Sequence, residues 1–322
     1  MIARIARTLL LTQFGVGLLC CVLLVKLHIT DLPLAILLGM ALVALFRASI
    51  TANSFFLTWP YRAKSTHTPE LTWPGIFRLF AGEYCATMLC SSWGMPFQRF
   101  DKRIFTDTTA LPVLLIHGYG CNSGYWHWMS QALQQAHITH YAVDMEPVFG
   151  SIDGYAPLVH EAVQRLLLEA VQRLLLESGQ EKIIIVAHSM GGLAARAYLR
   201  DHGLASVARV ITLGTPHHGT TIANFGIGIN CGEMNWLGRA EEGTSSEWLH
   251  KLAATEDDAT RAVILSIYSH HDNIVSPQIS SQLPGAENIA ISGIGHVALA
   301  LDHGIQTRVI EEIYKASKQA SK

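Results

Sequence analysis

The chain has 322 residues, of which 50% are hydrophobic and only 15% charged, with a formal net charge of −2. That length holds one large α/β domain plus an appendage. The near-neutral charge excludes the basic field needed to hold nucleic acid, and the scarcity of charge points to a membrane segment. The six cysteines show no CxxC or Cys/His spacing, so neither a disulfide framework nor a metal site is expected.

In chain order, the first feature is an apolar run. Thr8 to Val25 carries no charge and is about long enough to cross a bilayer core. Arg4 and Arg7 precede it. A cleaved signal peptide is the rival reading, but the run is long and is followed by "KLHITDLP", with no A-x-A site. An uncleaved anchor is expected. A second run, Leu32 to Phe46, ends at Arg47. It covers about 22 Å as helix, short of a ~30 Å core. Snorkelling by Arg47 or extension into "ASITANSFFL" makes up the difference. Arginines lie on both outer flanks, so the positive-inside bias predicts a hairpin with both ends, and the domain that follows, on the cytoplasmic side. A second run that only lies on the surface would put that domain on the periplasmic side.

Residues 1–57 thus form the membrane-anchor region and 58–110 a connector. Pro60, Pro69 and Pro74 predict irregular chain there, followed by an amphipathic helix over Gly75 to Cys90. Its aromatics would face either the membrane or the next domain.

From Leu111 to the end, strand-like and helix-like patterns alternate, the signature of a mostly parallel sheet with helices on both faces. "PVLLIHG", "THYAVDM", "KIIIVAH", "ARVITLG", "AVILSIYS" and "NIAISG" read as strands. "GYWHWMSQALQQAH", Tyr155 to Ser178, "MGGLAARAYLRDHG" and "LDHGIQTRVIEEIYKAS" read as helices. "EAVQRLLL" occurs twice in tandem, at 161–168 and 169–176. Eight residues are no solenoid period, and the repeat reads as a local duplication lengthening one helix.

The strand "IIIVAH" runs straight into Ser189 and then into helix-like sequence, giving A-x-S-x-G over 187–191. A tight strand-to-helix turn would push the serine hydroxyl into the open, with Ala187, Gly191 and Gly192 small enough to allow it. Ester chemistry by serine also needs a base, an acid to orient it, and donors for the oxyanion. On such an elbow the partners follow in the order Ser, Asp or Glu, His. Asp272 follows the strand "AVILSIYS", and His296 lies in the glycine-flanked loop "SGIGHVAL". His217, His218, His270 and His271 precede the acid, His303 lies in a helical pattern, and Asp144 precedes the serine. The turn "HGYG" can present the N–H of Tyr119, with that of Met190 as second oxyanion donor. His117 reads as structural.

With these residues in view, the chain resembles the bacterial lipase and esterase branch of the α/β-hydrolases. The matching stretches are "LLIHGYGCNSGYW", "VAHSMGGLAARAYL", "ITLGTPHHGT", "YSHHDNIVSP" and "GIGHVAL", spanning about 111–317. "AHSMGG", with alanine first, is similar to the elbow of some small bacterial lipases. The resemblance implies an α/β-hydrolase fold over 111–322 and carboxylic-ester hydrolysis by a Ser189, Asp272, His296 triad, without a cofactor. The substrate would be an acyl ester or a lipid, and the location a bacterial inner membrane. An acyltransferase using the same triad is the alternative. No acidic cluster resembles the calcium site of larger secreted lipases. Between residues 220 and 260 a long insertion carries Phe225, Ile227, Ile229, Met234, Trp236 and Leu237. It is either a mobile lid or a fixed cap.

Overall fold

The computed structural model describes residues 1–62, 68–174, 182–239 and 242–321. Two long helices open it, α1 (Ile2–Lys26) and α2 (Leu32–Thr58). Asp31 caps α2, its Oδ1 accepting the Leu34 N–H at 3.2 Å, and Pro33 fills the first turn. The helices approach closely where small residues meet: a Cβ on Gly39 would stand 2.6 Å from the Gly17 carbonyl oxygen. Both helices are long and apolar enough to cross a membrane, by length and composition. Leu11, Phe14, Met40 and Leu45 face outward.

The second helix does not stop at Phe46. It runs on to Thr58, 27 residues in all or about 40 Å, because "RASITANSFFLT" contains no helix breaker. Arg47 is accommodated by polar partners, donating to Ser92 Oγ at 2.6 Å and to Ser91 Oγ. Arg7 donates from Nε to the Pro96 carbonyl at 2.9 Å. The two arginines therefore grip one segment, Ser91 to Pro96. Past Arg47, α2 lies against the sheet domain. Asn273 Nδ2 donates to Ser54 Oγ at 2.7 Å, and Ser276 Oγ to the Thr58 carbonyl at 3.2 Å.

The connector is more ordered than its prolines suggest. Helix α3 (Trp73–Leu89) fills much of it, with Pro74 in the first turn and Thr72 Oγ1 accepting the Gly75 N–H at 3.4 Å. Leu79, Glu83 and Ala86, spaced as one helical stripe, are buried. Trp73 and Phe77 are 84% and 72% exposed. The amphipathic helix thus packs its narrow stripe inward and turns its leading aromatics outward. A wide turn, Cys90–Gly94, and the single turn α4 (Met95–Phe97) follow. The sheet also begins here, with β1 (Lys102–Arg103), before residue 111.

The remaining elements are β2 (Val113–Ile116), α5 (His127–Gln135), β3 (His140–Val143), α6 (Ala156–Leu174), β4 (Ile183–His188), α7 (Met190–His202) and β5 (Val207–Leu213). An excursion follows, with α8 (Ile229–Glu233), the strand pair β6 (Trp236–Leu237) and β7 (Thr244–Ser245), α9 (Glu247–Ala254) and α10 (Asp258–Ala262). Then come β8 (Ile264–Ser269), β9 (Glu287–Ile291) and α11 (His303–Ala320). The main sheet has seven strands in the order β1-β3-β2-β4-β5-β8-β9. All neighbours are parallel except the β1–β3 edge pair.

Every residue of β2 and β4 is buried, as their unbroken apolar runs require of central parallel strands covered on both faces. Helices α6 and α7 close one face, and α5 and α11 the other. Two helix expectations need adjustment. "GYWHWMSQALQQAH" starts as a 3₁₀ turn, Ser123–Trp126, because Tyr125 and Trp126 are both drawn into the core. The helix expected over Tyr155 to Ser178 is described as α6 to Leu174, so the end of the second "EAVQRLLL" copy lies outside the described residues.

Candidate active site

Ser189 sits between the end of β4 and the first residue of α7. Its backbone has φ 55° and ψ −129°, a conformation that side chains other than glycine rarely adopt. The turn is held by hydrogen bonds from Ser189 N to the Leu213 carbonyl and from Thr215 Oγ1 to the Ser189 carbonyl, both 2.9 Å. The sequence rule of small neighbours has a direct cause. A Cβ on Gly191 would lie 2.5 Å from the carbonyl oxygens of Ile116 and His117. Ala187, in contrast, is a fully buried strand residue paired with Ile116 and Thr212. Its methyl group fits, and glycine is not needed there.

Asp272 and His296 meet on the loops after β8 and β9. His296 Nδ1 stands 2.7 Å from Asp272 Oδ2. The other carboxylate oxygen accepts the N–H groups of Ile274 and Val275, both at 2.8 Å. Both side chains are buried. Burial opposes charge on His296, but Asp272, with a smaller contribution from Glu83, holds its pKa above the ordinary imidazole value. One segment bridges the two halves of the site. Leu213 and Thr215 bind the Ser189 backbone, and between them Gly214 lies against the dyad. A Cβ there would be 3.2 Å from both Asp272 Oδ2 and His296 Nδ1, at φ 55°. The three residues expected from the sequence are thus gathered at the carboxyl ends of β4, β8 and β9.

Other acids and histidines of the domain have other work. Asp302 caps α11 and Asp257 caps α10. Asp144 binds Arg99 and the Ser123 N–H. His303 pairs with Thr307 in an exposed position. His117 is buried, which pushes its pKa down. Its Nδ1 faces the Gly118 carbonyl at 2.8 Å, and its Nε2 accepts the Met145 N–H at 3.1 Å, so it secures the turn before Tyr119. Among the described residues no group of three or more His, Cys, Asp or Glu converges as metal ligands would.

Several contributors carry no sequence signal. His188 is kept neutral by burial, its ring centroid 4.5 Å from that of His296 and its Nε2 3.1 Å from the His296 carbonyl. Asn273 Oδ1 accepts the His296 N–H at 3.0 Å. Glu83, on α3, receives the N–H groups of Val297 and Ala298. A histidine beside the elbow serine could have been suspected from adjacency alone. The other two depend on contacts between distant parts of the chain.

The 220–260 excursion is bonded to the body in its first part and near its end. Glu233 accepts from the Ile152 N–H at 2.6 Å, Asn230 Nδ2 donates to the Val148 carbonyl at 2.9 Å, and the Tyr119 hydroxyl donates to the Ile227 carbonyl at 2.8 Å. Near its end, Glu256 forms a buried two-point pair with Arg196 of α7, at 2.5 and 2.8 Å. Phe225, Ile227, Ile229 and Leu237 remain exposed on its outer surface.

Residues 112–228 match the family described as alpha/beta hydrolase fold. A triacylglycerol lipase of Burkholderia plantarii is 32% identical over 146 residues, covering 42% of this chain and 39% of that protein. A triacylglycerol lipase of Pseudarthrobacter phenanthrenivorans is 32% identical over 123 residues, 36% of each chain. The chain therefore spans well under half the length of these curated relatives. In structure, a Bacillus licheniformis lipase in its mature form aligns with TM-score 0.52 at 16% identity, over 64% of this chain and 92% of that one. Aspergillus fumigatus lipase B aligns with TM-score 0.53 at 14% identity, over 84% and 81%. At such identities the alignments establish the fold alone, a mostly parallel sheet with helices on both faces. The chain therefore has the α/β-hydrolase fold, and its segment 112–228 is similar to that family.

Proposed function

We propose that the protein is a membrane-anchored serine carboxylic-ester hydrolase of lipase or esterase type. The observation that carries this reading is the Asp272–His296 pair, 2.7 Å apart and buried, one segment away from a serine with positive φ. Ser189 Oγ attacks the ester carbonyl while His296 takes its proton. The N–H groups of Tyr119 and Met190 receive the oxyanion. Collapse expels the alcohol, which takes the proton from His296 and leaves an acyl-serine. Water, deprotonated by His296, then attacks that acyl group and releases the acid. Asp272 orients the imidazole and stabilises its charged form. The curated relatives are named as lipases, which favours water over another alcohol as the acceptor.

The bonds between the 220–260 excursion and the body support a fixed cap, with the exposed apolar rim directed to lipid. The test is twofold. A fluorophosphonate probe should label the folded native protein and not its Ser189→Ala variant. Hydrolysis of nitrophenyl esters of rising chain length should show no jump above substrate micelle formation. Such a jump would revive the mobile lid, and an unlabelled native protein would remove the serine mechanism.

For the anchor, one hairpin end reaches the connector and the other the sheet domain. Arg7 reaches Pro96, and Ser54 receives the Asn273 amide. With the flanking arginines, this supports a hairpin whose ends and catalytic domain share the cytoplasmic face. A carboxyl-terminal reporter active only in the periplasm should remain silent, and strong activity would reverse the orientation.

A further inference from the structure

Glu83 is a carboxylic acid almost wholly removed from water, 1% exposed. It comes from α3, outside the segment 112–228 that matches the hydrolase family. Its two oxygens do one job each. Oε1 accepts the Val297 N–H and Oε2 the Ala298 N–H, both at 3.0 Å. These amides open the helical turn Val297–Ala300, whose N-cap is His296. The first amides of a helical turn have no partner within it, and an anionic acceptor suits them.

The His296 loop is therefore clamped from several directions. Asp272 holds the ring at Nδ1, Asn273 holds the backbone N–H, and Tyr125 donates its hydroxyl to the Val297 carbonyl at 3.1 Å. Glu83 fixes the start of the turn that follows. Without it, two partly buried amides beside the base would lose their acceptor.

We infer that Glu83 is a positioning residue for His296: the helix joining the anchor to the hydrolase carries a second carboxylate that sets the geometry and charge of the catalytic base. The inference rests on the serine-hydrolase reading. The titratable groups facing His296 are Asp272, Glu83 and His188. Those facing Glu83 are His296, Asp272, Cys90 of the adjoining wide turn and Tyr125. Burial pushes the Glu83 carboxyl up, and the two amides and His296 pull it back. Glu83 in turn adds to the Asp272 field that favours protonated His296.

The experiment is Glu83→Gln in the full-length protein, assayed on a nitrophenyl ester across the pH range. Glutamine keeps the shape, loses the charge and can accept only one of the two amides. The expected result is a kcat lower by about 10–100-fold with KM unchanged. The acid limb of kcat/KM should also move to lower pH, because protonated His296 loses one of its two anions. Leu79→Ala, one turn earlier on the same buried stripe, is the control. It should lower Tm and leave the acid limb in place. Native kcat with a native acid limb in Glu83→Gln overturns the inference. So does a Glu83→Gln variant that only loses Tm as Leu79→Ala does. Should Glu83→Gln not fold, Glu83→Asp is measured. It keeps the charge and withdraws it by one methylene, so a lowered kcat with a native acid limb is expected, and a native kcat overturns the inference. Fluorophosphonate labelling of the native protein runs alongside. Its absence overturns the hydrolase reading itself, whereas labelled native protein with an unaffected variant overturns only the role of Glu83.

Discussion

Ser189→Ala should lower kcat on a nitrophenyl ester by about 10⁴–10⁶-fold, with little change in KM. The size follows from how the proposed triad would work as a unit. Alanine fits the elbow without a clash, since its Cβ replaces one already present. Its positive φ was strained for serine as well, so the fold should survive. What is lost is the hydroxyl proposed as the nucleophile, the group from which His296 would take a proton. The same unit behaviour fixes the double variant. Once Ser189 is gone, His296 has no proton to accept, so Ser189→Ala with His296→Ala should be no slower than Ser189→Ala alone. A double variant slower by a further large factor would show that His296 acts on some other nucleophile. Initial rates with purified protein decide both points.

Glu256→Ala should be the most damaging substitution away from the site, costing about 3–5 kcal/mol of stability and on the order of 6–20 °C in Tm. Arg196 is 0% exposed and Glu256 1%. The guanidinium donates to both Glu256 oxygens and, from Nη1, to the His217 carbonyl at 2.9 Å. Removing the acid strands a buried cation with one carbonyl for company. Removing both charges is a different matter. Arg196→Met with Glu256→Leu should recover much of the loss, because desolvation of the pair offsets most of its attraction. Thermal unfolding of the three proteins measures this. Equal Tm in Glu256→Ala and the native protein would mean that water reaches the pair.

The parts of the molecule legible from sequence were those whose cause is local. The unbroken apolar runs of β2 and β4 follow from burial on both faces. The small residues around Ser189 follow from carbonyl oxygens 2.5 Å from any added Cβ at Gly191. His296 could be picked out because a glycine-flanked histidine loop between the last strand and last helix has few other uses. Glu83 was invisible for the opposite reason. A lone glutamate in an amphipathic helix reads as a solvated charge, and its amide partners lie 214 and 215 residues away. The extension of α2 past Arg47 was one of two readings of the second run, but the serine partners of that charge, 44 and 45 residues further along, could not be read from it. Residues 102–103 were read as connector because two residues are too few to show a strand period. They join the sheet through pairing with β3.

The two arginines that grip Ser91–Pro96, together with the Ser54–Asn273 contact, tie the hairpin to the connector and to the sheet domain at separate points. A domain on a single helix can swivel about its tether; one stapled twice cannot. With the hairpin inserted, the enzyme would meet its esters as a fixed-orientation body moving in a plane, and the concentration it senses would be a mole fraction. Diluting a substrate lipid with an inert one, at constant total substrate in the tube, would then slow turnover as surely as removing it.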